Sequence, residues 1–74
     1  MESRKFDRSK LRGRMAEKGI SQRKMAATMG ITLQSLSRKM SNKTRFSTDD
    51  IIQISEILGI EPEEIGRYFF TQTV

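Results

Sequence analysis

Between Gln22 and Ser41 the chain reads QRKMAATMGITLQSLSRKMS, and this stretch limits the possible folds more than any other. Met25, Ala26 and Met29 share one face at helical spacing, and Leu36 and Met40 share one face of the segment that follows. Gly30 stands between them, where the first helix must stop and where the backbone often needs a positive angle that glycine adopts without a steric penalty. Ile31 re-enters the core, and Thr32 offers an oxygen to the free amides of a second helix. Stop, turn and restart are thus specified within three residues. Ala26 is small where two helices should cross closely. The pattern predicts two short amphipathic helices packed at a steep angle. The plainer alternative is a chance helical hairpin in a small bundle.

With Ala26, Gly30, Ile31 and Leu36 at these offsets, the segment resembles the helix-turn-helix of the phage Cro and repressor class. The flanks FDRSKLRGRMAEKGISQ and DDIIQISEILGIEPEEIGRYFFTQ extend the likeness to short Cro-type regulators of phages and mobile elements, over nearly the whole chain. The resemblance implies an all-α, compact five-helix bundle of the phage-repressor type with a central helix-turn-helix, and a role in a genetic switch. Two positions depart from the class. Many of its members bury an arginine of the first helix against a glutamate at the end of the recognition helix, where Met15 and Met40 stand here. An apolar contact in place of an ion pair can be neutral or stabilising, because no charge is desolvated. Lys39 occupies a position that usually carries a large apolar residue, and Met40 is expected to supply that packing.

Seventy-four residues suit a single domain, close to the lower limit for a hydrophobic core without staples. Cysteine and histidine are both absent, which removes disulfides, thiolate metal sites and the commonest general base and nucleophile. Catalysis is therefore not expected, nor is a cofactor, a metal or a small-molecule ligand. Glu63 and Glu64 are adjacent carboxylates, but they read as partners of a helix dipole. No apolar run approaches the roughly 20 residues of a membrane span, and the opening MESRKFDRSK lacks the apolar centre of a signal peptide. The expectation is a cytoplasmic protein with no membrane partner.

The net charge of +5 matters less than its distribution. Residues 1 to 45 carry thirteen Lys or Arg against Glu2, Asp7 and Glu17, a balance of +10. Residues 46 to 74 carry only Arg67 against six acids, a balance of −5. A basic face around the central motif suits a polyanion, and an acidic C-terminal third suits solvent or another protein subunit. Surface lysines and arginines that only confer solubility would not be expected to segregate in this way.

Residues 1 to 6 read as a poorly ordered basic arm. Arg4 and Lys5 have the charge to touch phosphates or a minor groove, although a frayed basic end is the more ordinary reading. Asp7 or Ser9 caps a first helix running to about Lys18, with Leu11 and Met15 facing inward. Gly19 ends it, Ile20 tucks beneath the turn, and Ser21 caps the next helix. Past the central motif, Phe46 should return to the core. Ser47 and Asp50 form a capping box for a fourth helix whose buried stripe is Ile51, Ile54 and Leu58, with Ile52 and Ile57 in excess of what that stripe needs. Gly59 stops it, Ile60 packs, and Glu61 to Glu64 open a last helix with Pro62 in its first turn. Ile65, Tyr68, Phe69 and Phe70 then precede the tail TQTV, residues 71 to 74. Two readings of this aromatic end stay open. It covers its own core, or part of it meets a second copy as a helix face or as a short strand, since FFTQTV has strand-like composition.

With Leu36 and Met40 inward, Leu33, Gln34, Ser37 and Arg38 occupy the outer flank of the recognition helix. Gln can pair with adenine through two hydrogen bonds, Arg with guanine O6 and N7, Leu33 can press on a thymine methyl, and Ser37 can read an edge or a phosphate. Gln22, Arg23 and Thr32 at the helix starts, and Asn42, Lys43, Thr44 and Arg45 in the following loop, are the candidate phosphate contacts, which position without specifying. The functional expectation is a sequence-specific transcriptional regulator, a Cro-like repressor that occupies double-stranded operator DNA as a homodimer through the major groove. Its rivals are a protein-interaction module such as an anti-repressor, a nonspecific nucleic-acid binder and, more remotely, an enzyme.

Overall fold

Three helix starts and three helix ends use the capping residues that the sequence offers. A computed structural model describes residues 6–72, with helices α1 (Ser9–Lys18), α2 (Gln22–Met29), α3 (Leu33–Met40) and α4 (Thr48–Leu58), a 3₁₀ turn at Pro62–Glu64, and α5 (Ile65–Phe69). Ser21 Oγ accepts the Lys24 N–H at 3.1 Å, and Thr32 Oγ1 accepts the Ser35 N–H at 3.0 Å. Ser47 and Asp50 make the reciprocal box, with Ser47 Oγ accepting the Asp50 N–H at 3.1 Å and Asp50 Oδ2 accepting the Ser47 N–H at 2.9 Å.

Three helices end in the same way. A glycine in the left-handed region is followed by an isoleucine whose amide reaches back five residues: Ile20 to the Met15 carbonyl at 2.9 Å, Ile31 to Ala26 at 3.0 Å and Ile60 to Ser55 at 2.9 Å. This Schellman closure satisfies carbonyls that the helix leaves open and turns the isoleucine back toward the core. Gly30 has φ of 74°, which the turn between α2 and α3 requires and a side chain resists.

The core is a single cluster assembled from every helix. Leu11 and Met15 of α1, Met25, Ala26 and Met29 of α2, Leu36 and Met40 of α3, Ile54 and Leu58 of α4, Ile60, and Phe69 of α5 are buried. Four methionines contribute, and their unbranched, polarisable side chains fill an irregular space between short helices. Met15 and Met40 are both in that cluster, so no ion pair takes their place. The assembly is compact and all-helical, with extents of 34 × 27 × 20 Å.

Several boundaries differ from the sequence expectation. Neither Asp7 nor Ser9 is the N-cap of α1. Arg8 stands at that position without a side-chain cap, since a guanidinium has only donors and cannot accept from helix amides, and Asp7 Oδ1 instead accepts the Ser9 N–H at 2.8 Å. The last helix does not begin at Glu61. Pro62 opens a 3₁₀ turn, and α-helical bonding starts only at Ile65. Ile57 is not surplus, since it packs half-buried against the cluster, whereas Ile52 stays half exposed.

Phe6 does not belong to a loose arm. It forms an antiparallel bridge with Gln72, next to a hydrogen bond from the Asp7 N–H to the Thr71 carbonyl at 2.7 Å. Its ring meets Phe70 edge to face at 5.9 Å. The strand-like tail thus pairs, through Thr71 and Gln72, with the beginning of its own chain, and no strand longer than this bridge forms among the described residues. Arg4, Lys5, Thr73 and Val74 lie outside the described residues.

Two glycines test this account from opposite sides. A methyl group at Gly13, within α1, would meet no atom within 4 Å, so Gly13→Ala should stabilise the fold by about 1 kcal/mol, ~4–8 °C in Tm. Gly30→Ala meets no clash either but forces a left-handed alanine, and should destabilise by about 1–2 kcal/mol. Thermal and denaturant melts of the two variants check both signs.

Candidate functional site

The exposed side of α3 follows from its buried side. Leu36 and Met40 anchor the helix, and a period of 3.6 residues then turns Leu33, Gln34, Ser37 and Arg38 outward, where all four are exposed. Leu33 is 37% exposed, a large apolar side chain left in water at the front of the helix. These four side chains, with Ser41 and Lys43, line one shallow depression. The set comprises an apolar surface, a carboxamide, hydroxyls and two cations, with no carboxylate. Such a face can donate and accept in a plane and repels no polyanion.

The flanking residues fall into two groups. Gln22 is half-buried and Arg23 exposed at the start of α2, and neither lines the α3 depression. Thr32 caps α3 through its oxygen, which leaves its hydroxyl proton free to donate. After α3, Lys43, Thr44 and Arg45 are exposed, but the Lys43 and Thr44 amides are both spent on the Arg38 carbonyl, at 2.9 and 3.3 Å. Lys43 and Thr44 therefore have only their side chains to donate to a ligand.

Asn42 corrects the sequence reading. Its φ is 67°, a left-handed conformation that asparagine tolerates better than most residues, and its carboxamide is used at both ends. Oδ1 accepts the Phe6 N–H at 2.9 Å, and Nδ2 donates to the Phe6 carbonyl at 2.8 Å. Asn42 therefore holds the loop to Phe6, which takes its carbonyl and one of its two amide N–H donors.

The basic count of the first 45 residues also overstates the basic surface. Arg14 donates from Nε to the Leu58 carbonyl at 3.0 Å and from Nη2 to the Gly59 carbonyl at 3.2 Å, while Arg12 Nη2 reaches the Met40 carbonyl at 3.4 Å. Both satisfy carbonyls at the negative C-terminal ends of other helices, Arg14 that of α4 and Arg12 that of α3. Arg8 is buried and donates to the Phe69 carbonyl at 3.1 Å. Lys39 pairs with Asp50, so the position expected to need an apolar side chain is filled by an ion pair that joins the end of α3 to the start of α4. These roles were partly legible. Lys39 lies beside Met40 on the inward flank, and Asp50 is a capping residue with a second oxygen to offer.

Burial by itself would raise the Asp50 pKa. The hydrogen bond from Lys39, those from Ser47 and the lysine charge outweigh it and hold the carboxyl below the usual aspartate value of 3.8. A folded pKa below the unfolded one contributes stability that is complete above the usual value and is lost as pH falls through the folded value. Asp50→Asn should therefore cost about 1–2 kcal/mol at neutral pH and flatten the loss of stability below about pH 4. Denaturant curves of both proteins across that range measure the difference.

No helix among the described residues is long and apolar enough to cross a membrane, and no group of three or more acidic side chains there could hold a metal ion. The family described as "Protein of unknown function (DUF739)" matches residues 4–72. Among solved structures, the fold is similar to the modulator of repression (MOR) of the temperate bacteriophage TP901-1 from Lactococcus lactis. The TM-score is 0.76 at 32% sequence identity, over 88% of each chain. No curated protein matches the sequence.

Proposed function

The chain belongs to the DUF739 family, and from that membership and its likeness to a phage modulator of repression we propose that it is a phage transcriptional regulator that binds operator DNA through α3. The observation that carries this reading is the outer face of α3, where Leu33, Gln34, Ser37 and Arg38 stand exposed around one depression beside Lys43. Gln34 and Arg38 have the planar donors that discriminate adenine and guanine edges in a major groove, and Leu33 supplies an apolar contact for a thymine methyl. Gln22, Arg23, Thr32, Lys43, Thr44 and Arg45 fix the protein on the sugar-phosphate backbone. Two copies would present two such helices to half-sites about one DNA turn apart, roughly 34 Å, and the protein acts by occlusion.

A second reading rests on the likeness to a modulator of repression. In that reading the chain acts on a repressor protein, and half-exposed Ile52 and Phe70 are the apolar contacts that such an interaction would use. Salt separates the two. Binding to DNA weakens steeply as salt rises through counterion release, whereas an apolar protein contact weakens little or tightens.

Selection of bound duplexes from a random pool at near-physiological salt tests the first reading. An inverted repeat with half-sites one turn apart is expected, and recovery of no shared sequence would overturn it. On the recovered site, Arg38→Ala should lose about 1–3 kcal/mol and relax the choice at one base pair, measured by equilibrium binding to single-substitution duplexes. Lys43→Ala should instead weaken all sequences alike and reduce the salt slope by about one.

A further inference from the structure

The first described residues, the loop after α3 and the end of α5 surround a partly open cavity of about 170 Å³. Phe6, Phe46, Phe69, Phe70 and Ile51 form its apolar part, and Asn42, Lys43, Thr44 and Arg45 its polar part. Arg8 lines the same space and is only 5% exposed. Its guanidinium carbon lies 4.5 Å from the Phe46 ring centroid and 5.7 Å from that of Phe6. Nη1 is spent on the Phe69 carbonyl, but Nε is buried with no hydrogen-bond partner among the described residues. Nor does any carboxylate among them form an ion pair with Arg8.

A buried cation without an anion is costly, and ring faces recover only part of what water supplied. Burial, with the like charge of Arg12 behind it, pulls the Arg8 pKa below the usual arginine value. An arginine nonetheless stays protonated at neutral pH. We infer that this cavity is a binding site for a small amphiphilic carboxylate, whose apolar part sits among the phenylalanine rings and whose carboxylate faces the Arg8 guanidinium. The size fits one ring with a short acid group, since an apolar cavity of about 150 Å³ accepts benzene. Lys43 and Arg45 favour the approach of an anion.

The test is a titration of the whole chain with sodium benzoate, followed by NMR at constant ionic strength, with benzyl alcohol and sodium acetate as comparison ligands. Benzoate should shift the Arg8 Nε–H signal and the Phe46 and Phe69 ring signals saturably, at least tenfold more tightly than either comparison. Equal binding of benzyl alcohol would overturn the role of the cation, and equal binding of acetate would reduce the site to a general anion contact at Lys43 and Arg45. No saturable shift would remove the site altogether. Arg8→Gln should abolish the benzoate preference, but it also removes the hydrogen bond to Phe69 and can unfold the chain. Ile51→Phe is therefore the second variant, since it fills the space and leaves Arg8 in place. A folded Ile51→Phe protein that binds benzoate as before would overturn the proposal.

Discussion

The turn at Gly30 is the constraint on which the rest of the molecule depends. The left-handed glycine lets the Ile31 amide close on the Ala26 carbonyl, which ends α2 and starts α3 three residues later. Ala26 is buried in the same cluster as Leu36, and its small side chain suits a close approach of two helices. With α3 held by Leu36 and Met40, the directions of Leu33, Gln34, Ser37 and Arg38 are no longer free. The candidate site is thus a by-product of how one face of an eight-residue helix is buried.

Charges in this chain serve two ends that their number alone does not separate. Arg12 and Arg14 satisfy helix carbonyls, Lys39 ties α3 to α4 through Asp50, and Arg8 lies among aromatic rings. Those four cations help hold helices too short to be stable alone. Arg23, Arg38, Lys43 and Arg45 are exposed with no such partner among the described residues, and with exposed Lys10, Lys18 and Lys24 they leave a basic surface open to solvent. A small core explains the division, because domains of this size bury little apolar area and draw on hydrogen bonds at their helix ends.

Helix limits were the most legible part of the fold. Ser21, Thr32 and Ser47 cap, and Gly19, Gly30 and Gly59 terminate, because these signals act over three or four residues and need no distant partner. The outer face of α3 was legible for the same reason, since helical period converts a buried pair directly into an exposed set. Legibility ended where a residue answers to something far along the chain. Asn42 looked like a free polar loop residue and instead grips Phe6, 36 positions away, and Arg8 looked like one more surface cation and instead reaches Phe69, 61 positions away.

The amino-acid sequence by itself therefore determined the capped starts of α2, α3 and α4, the glycine stops of α1, α2 and α4, the inward residues of the first three helices and the side chains that α3 turns to the outside. All of these are set by local backbone chemistry and a fixed helical period. Only the tertiary structure decided which cations are consumed inside, that the end of the chain pairs with Phe6 and Asp7, and that Arg8 and four phenylalanines surround a cavity. Those outcomes depend on which helix ends meet in space, and such encounters leave no periodic trace in the order of residues.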